Sequence, residues 1–412
     1  MSFRMCPTRI GACCWLAILF ALGGCAAPLA ADTFLVVPFE NVSRATDLDW
    51  VGESYAEALS ENLQAEGRTA ISREERLAAL EHLGLLAAGP LSHASVLRLG
   101  EEVGADWVVA GRFMVETGQL RSQALVFDLS APALSQPIDD TDAFEHLLDA
   151  QARLAWRVLR QRDPVFPLSL ISFQQRRPRI PISAFESYVR GLTTPDRDQQ
   201  LRYFLQAARL EPSFAPPAFR LALLYYADGD YVAAVRWFRQ AGSDPRLGAE
   251  AGFYLGLSYF ASNDLPHAAE ALQATAERAP SAAVWNNLGI ATSRQDNAAA
   301  ETYFARALQL DPNNASVHFN LGLHYVRRGE WELALRALDR CLATNPRDTE
   351  AHFLRSYTLR HLGRLEEAER AHQQAVGDNP ALALSLERRR FELDRLQTDF
   401  RPRELSRETS ER

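Results

Sequence analysis

The chain has 412 residues and a net charge of −8, from 52 acidic and 44 basic side chains. All 44 basic residues are arginines, which excludes a P-loop lysine, a Schiff-base lysine and a Ser-x-x-Lys nucleophile pair. Residues 32–163 hold 22 acids against 11 arginines, whereas residues 164–412 hold 30 against 31. An acidic first part followed by a neutral second part argues against nucleic acid as a partner.

Arg4 and Arg9 precede an apolar run over residues 10–22 that is short for a bilayer span and is followed by small residues, the pattern of an export signal. Leu22-Gly23-Gly24-Cys25 resembles the lipobox of bacterial lipoproteins. That resemblance implies a lipid on Cys25, mature protein starting there, and, with Ala26 rather than aspartate next, an outer-membrane anchor facing the periplasm. The other reading is ordinary signal cleavage near Ala27 or Ala31, with Cys25 incidental. Cys6, Cys13 and Cys14 leave with the signal on either reading, so no intramolecular disulfide is expected; Cys341 is read as a small packing residue.

Residues 32–163 read as an α/β domain with a mixed sheet. Strands are expected over 33–39, 68–72, 107–113 and 119–128, the last two joined by the turn Glu116-Thr117-Gly118. Helices are expected from Asp49, over 74–83, over 93–103 capped by Ser92, and over 142–160. Glu40 and Asn41 stand at a strand's carboxyl end, where they either close a turn or contribute to a polar site. Trp50 and Trp107 are read as core or domain-interface aromatics.

Val37-Pro38-Phe39-Glu40-Asn41, Asp49-Trp50-Val51-Gly52-Glu53 and the run from Gly104 to Gly111 resemble successive signatures of the TolB amino-terminal-like domain and its CsgG and FlgO relatives. The resemblance implies a non-catalytic module for protein contacts. Pro164, Pro167, Pro178 and Pro181 then mark a stiff, extended linker over 164–181. Its arginines, Arg176, Arg177 and Arg179, either lie against the acidic domain or, as the favoured reading, remain solvated.

The second half is periodic. Prolines fall at Pro212, Pro245, Pro280, Pro312, Pro346 and Pro380, at nearly even intervals. The interval is about 34 residues, the length of a helix–turn–helix repeat. Leu-Gly pairs at Gly256, Gly289 and Gly322 keep the same beat. The joint recurrence of small, large and proline positions resembles the tetratricopeptide (TPR) family, which implies an all-α solenoid of helix hairpins that binds proteins. About six units are expected over 182–382, starting near 183, 215, 249, 282, 315 and 349. The glycines let paired helices approach and the prolines end helices. A capping helix is expected over 383–400 and a disordered tail over 401–412.

The first helices should line the concave face. Arg294, Arg327 and Arg360 recur there at one constant interval, either as a grip for an acidic partner or as solvated repeat positions. Asn286, Asn287, Asn320, Phe219, Tyr226, Phe253 and Phe260 are the other candidate partner-facing residues.

Catalytic motifs of the HExxH, G-x-S-x-G and G-x-G-x-x-G types are absent, as are paired cysteines. His318, His324, His352, His361 and His372 are read as occupying different repeat positions, hence no metal site. The chain is therefore expected to be a non-enzymatic envelope scaffold without cofactor, binding other proteins and tethered to a membrane. A sensory module whose first domain binds a small ligand is the alternative.

Overall fold

The computed structural model describes residues 32–400 except 44, 87, 88, 90, 132–134 and 378. The expected export segment with Cys25 and residues 401–412 lie outside the described residues.

The first part runs β1 (Thr33–Val36), β2 (Glu40–Asn41), α1 (Trp50–Ala65), β3 (Thr69–Ala70), α2 (Arg73–His82), α3 (His93–Glu102), β4 (Trp107–Glu116), β5 (Gln119–Asp128), β6 (Ile138–Ala143) and α4 (Leu147–Arg162). The strands form one mixed sheet in the order β3-β1-β4-β5-β6, with β2 beside β4. β1 pairs in parallel with β3 and β4, and β4, β5 and β6 pair antiparallel. Successive side chains of a strand point to opposite faces. Phe34 and Val36 accordingly join the core under α1 and α4, while Leu35 and Val37 join the core under α2 and α3. The domain is thus three-layered.

The helix expected over 142–160 starts only at Leu147, and Asp142 belongs to β6, a strand that the sequence expectation lacks. The acids of β6 guard the sheet edge, where unpaired backbone groups invite other strands. Arg153 of α4 donates to both oxygens of Asp140, at 3.0 and 2.8 Å, and to Asp142 at 2.8 Å. Glu40 is exposed, and Asn41 closes a turn by donating to Asp49 at 2.7 Å and accepting from the Ser43 amide at 3.0 Å. Trp50 is buried, with the Arg190 guanidinium 5.9 Å from its ring, and Trp107 stacks on Phe34.

A short helix, α5 (Leu170–Gln175), leads into helix pairs: α6 (Ile182–Thr193) with α7 (Arg197–Leu210), α8 (Ala215–Ala227) with α9 (Tyr231–Ala241), and α10 (Gly248–Ala261) with α11 (Leu265–Arg278). Three more follow: α12 (Ala282–Ser293) with α13 (Ala299–Leu310), α14 (Ala315–Arg328) with α15 (Trp331–Thr344), and α16 (Thr349–His361) with α17 (Leu365–Val376). Gly289 shows why the seam needs a glycine: a Cβ there would lie 2.7 Å from the Phe304 ring. Gly256 and Gly322 meet Leu272 and Leu338 in the same way. Pro312 and Pro346 stand just past the ends of α13 and α15, and Pro380 opens a last helix, α18 (Pro380–Arg389).

Two expectations are corrected. Residues 164–181 are not a solvated connector. Phe173 of α5 is fully buried, Arg177 stacks on it at 4.0 Å, and the same guanidinium bridges to Glu66 at 2.9 Å; Arg176 and Arg179 are exposed. One continuous core runs from Phe34 of the sheet through Phe173 to Phe185, Phe204 and Leu221 of the first helix pairs. The helix expected over 383–400 stops at Arg389, and residues 392–400 form neither helix nor strand. Leu393, Leu396 and Phe400 have helical spacing, so local pattern favoured a helix. Contacts with the solenoid override it.

If this shared core fuses the two parts, Phe173→Ala will cost about 3–5 kcal/mol. Chemical unfolding should then show sheet and helix signals shifting together to lower denaturant. A shift confined to one set of signals would show that the parts unfold independently.

Candidate concave groove

Stacked hairpins set equivalent first-helix residues one above another along the inner face of the solenoid. Tyr254, Asn287 and Asn320 recur at one constant interval, on α10, α12 and α14. All three aim polar groups at the chain's own residues 395–398.

Asn320 donates to the Arg395 carbonyl at 3.0 Å and accepts from the Arg395 amide at 2.9 Å. Asn287 treats Gln397 alike, donating to its carbonyl at 2.6 Å and accepting from its amide at 2.9 Å. Asn286 adds a second donor to the Arg395 carbonyl at 3.1 Å and accepts from Asn320 at 2.9 Å. The Tyr254 hydroxyl donates to the Thr398 carbonyl at 3.4 Å. Alternate residues of an extended chain face the same way. The asparagine amides therefore act as a neighbouring strand would, satisfying N–H and C=O of alternate residues. Asn286 and Asn287 are wholly buried and Asn320 is 2 % exposed, so each amide would be costly to leave unpaired.

Side chains add a charge pattern. The Asp394 carboxylate is 4 % exposed and takes Arg294 at 2.7 Å and Arg327 at 2.9 and 2.7 Å on its two oxygens. At the next residue the charges invert. Arg395 donates to both oxygens of Asp348 at 2.6 Å and to Glu350 at 3.0 Å, with its guanidinium 3.5 Å from the centre of the Phe319 ring. Bidentate arginine–carboxylate pairs of this kind are strong and geometrically selective. Burial pushes the Asp348 carboxyl up, but hydrogen bonds from Arg395 and the Ala351 amide outweigh it and hold the group below its usual range. The neighbouring Cys341 thiol is raised to about 12 by burial and the Asp348 charge, which leaves it unreactive.

Apolar contacts complete the seat. Leu393 is 3 % exposed in a cluster with Phe319, Leu323, Phe353 and Leu354. Leu396 and Phe400 pack on the cluster of Phe253, Leu257 and Leu288, and the Phe253 and Phe400 rings are 5.3 Å apart. The segment runs against the repeat order, from Phe391 beside Tyr357 of α16 to Phe400 beside Phe253 of α10.

The expected residues divide accordingly. Asn286, Asn287, Asn320, Arg294, Arg327 and Phe253 converge on the segment. Phe260 lies beneath the Arg294 guanidinium, 5.6 Å from ring centre. Phe219 and Tyr226 pack instead within their own hairpin, against Phe238 and Tyr231, and against Tyr254 of the next one.

Arg360 also departs from the ladder. It is exposed and makes no ion pair among the described residues. The helix caps Asn314 and Asp348 stand one position further apart than Arg294 and Arg327. His361, not Arg360, therefore holds the place of Arg327, and a single-position offset turns a side chain by about 100° around a helix. His361 stacks on Trp331. The same count corrects the histidines. His318 and His352 do share a repeat position, bonding the carbonyls of Pro312 and Pro346 at 3.0 and 2.9 Å. Among the described residues no group of three or more His, Cys, Asp or Glu could hold a metal.

Sequence reasoning missed Asp348, Glu350, Tyr254 and the segment itself. Asp348 was hidden by its second duty as a helix cap, accepting from the Ala351 amide at 3.1 Å.

Removing the clamp should release the segment. With Asn320→Ala and Arg327→Ala combined, trypsin should cut after Arg395 at least tenfold faster than in the unaltered chain, with the solenoid still folded by circular dichroism; each lost buried contact is worth about 1–3 kcal/mol. Equal cleavage rates would show that these residues do not hold it.

Two tetratricopeptide-repeat family models match the chain, over residues 253–315 and 288–358. No curated protein matches significantly. Among solved structures, a crystal structure of MamA is 23 % identical with a TM-score of 0.37, covering 40 % of this chain and 97 % of its own. YrrB, described as a TPR protein with an unusual peptide-binding site, is 19 % identical with a TM-score of 0.38, covering 45 % of this chain and 97 % of its own. Residues 253–358, which bear the three groove asparagines and both engaged arginines, are tetratricopeptide repeats.

Proposed function

We propose that this protein is a non-catalytic scaffold that binds extended segments of other proteins in its concave groove, while an N-terminal lipid tethers it to a membrane of the cell envelope. One observation carries the binding part of the reading. The asparagine ladder holds a polypeptide by its backbone, at Arg395 and Gln397, and so does not depend on which side chains that polypeptide carries. A device of that kind belongs to a receptor for extended chains. The flanking ion pairs then select among them.

The tether rests on sequence alone: the basic start, the apolar run over 10–22 and Cys25 after Leu22-Gly23-Gly24. Among the described residues no helix is long and apolar enough to cross a membrane. The first domain, with its resemblance to the TolB amino-terminal type, would supply further protein contacts. It is fused to the repeats through the shared core and so would set the direction in which the groove is displayed.

Two experiments test these parts separately. Cross-linking and capture from envelopes should recover at least one protein with the unaltered chain that Asn287→Ala combined with Asn320→Ala loses. An identical set from both chains would contradict the groove as the binding surface. Cys25→Ser should move the protein from the membrane pellet to the soluble fraction and abolish labelling by radioactive palmitate. Unchanged pelleting and labelling would contradict the tether.

A further inference from the structure

The segment from Leu393 to Phe400 belongs to the same chain as the groove that holds it, and it fills every selective feature described above. Resting on the groove reading, we propose that this segment is a built-in competitor. The external partner would be an extended polypeptide carrying the same chemistry: an apolar residue, an acid, an arginine and a second apolar residue in succession, with an aromatic four positions further on.

The pattern follows from the pockets. The acid is required because Arg294 and Arg327 converge on a single carboxylate, where neutral groups would leave two partly buried guanidiniums facing each other. The arginine is required because Asp348 is 7 % exposed and, with Glu350 beside it, would otherwise be a buried carboxylate without a cation. These two demands sit on adjacent residues and have opposite sign. A uniformly acidic or uniformly basic peptide satisfies one and is repelled by the other, so the groove discriminates by repulsion as well as attraction. Leu393 marks a closed apolar pocket, and Phe400 an open one against Phe253.

Competition follows from the tether. α18 ends at Arg389, and by Leu393 the chain is already buried in the groove. A short connection of this kind gives an effective concentration on the order of 1 mM. An external segment of equal intrinsic affinity, with a dissociation constant of about 10 μM, would then bind roughly 100-fold more weakly than to an open groove. The segment can leave without unfolding its host. Its backbone is held by side-chain amides rather than by neighbouring strands, and the helix pairs close on their own apolar seams at Gly256–Leu272, Gly289–Phe304 and Gly322–Leu338.

The test uses the full chain and a fluorescent synthetic peptide spanning residues 391–400. Asp394→Ala combined with Arg395→Ala weakens the internal segment and leaves the groove's own residues unaltered. Fluorescence anisotropy should show this variant binding the peptide at least tenfold more tightly than the unaltered chain. A peptide with the acid and the arginine exchanged should bind neither. If the double variant fails to fold, Asp394→Asn, which removes the charge at nearly constant shape, should still give a several-fold gain.

Equal affinity in variant and unaltered chain would overturn the inference, making the segment no competitor. The groove reading would survive that result if Asn287→Ala with Asn320→Ala still loses its envelope partners. Tight binding of the exchanged peptide would overturn the proposed pattern. Concentration-dependent dimerisation of the unaltered chain, abolished by Asp394→Ala with Arg395→Ala, would place the segment in a second copy and overturn its action within one chain.

Discussion

A single helix hairpin of this size cannot bury both of its apolar faces, and that constraint organises the molecule. Four of the six pairs close their seam at a glycine, Gly191, Gly256, Gly289 or Gly322, and every pair needs neighbours on both sides. At one end of the stack the need is met by the sheet domain, whose core under α1 and α4 continues through Phe173 into Phe185 and Phe204. At the other end it is met by α18, whose Leu386 is buried with Phe353 and Val376. Stacking also fixes the inner surface. Residues one repeat apart line up, and a polar residue repeated at that interval becomes a row of evenly placed hydrogen-bonding groups.

That row works only where the spacing holds. Tyr254, Asn287 and Asn320 keep it, and each touches the backbone of the bound segment. Beyond Asn320 the interval lengthens by one position, the equivalent place is taken by Leu354, and the ladder ends. The groove turns apolar there, and Leu354 joins the wall that receives Leu393. Charge then reverses between neighbouring residues of the segment, since the caps that start the first helices also line the groove. Asp348 caps α16 and binds Arg395 with the same carboxylate. Helix capping and recognition thus share residues, so the recognition chemistry is anchored to fixed points of the repeat.

The repeats were legible from sequence because their signals are local and redundant: glycines at the seams, prolines past the helix ends, and a beat that several residue types keep together. The sheet was legible for the same reason in β1, β4 and β5. It failed at β6, where Asp142 in Ile138–Ala143 fits a helix start as well as a guarded edge. Among the groove residues, Asn286, Asn287, Asn320, Arg294 and Arg327 were visible as first-helix positions, but what they hold was not. Leu393, Leu396 and Phe400 have the spacing of a helix, and contacts with the groove, the asparagine amides among them, favour the observed backbone instead. Arg360 was misread by carrying the earlier interval into a repeat where the chain inserts one more position. The extra position was present in the sequence, in the 34-residue step from Pro312 to Pro346, but the arginine spacing masked it.

The asparagine ladder makes a statement about individual backbone groups, and hydrogen exchange read at single residues addresses it directly. In the full chain, the amides of Arg395 and Gln397, which donate to Asn320 and Asn287, should exchange at least tenfold more slowly than an unstructured chain of the same sequence, because each is hydrogen-bonded and partly buried. The amide of Leu396, between them, has no partner in the ladder and should exchange faster than both. Uniformly fast exchange across residues 392–400 would contradict an extended segment seated on the asparagine ladder, and with it the groove as a receptor for polypeptide backbones.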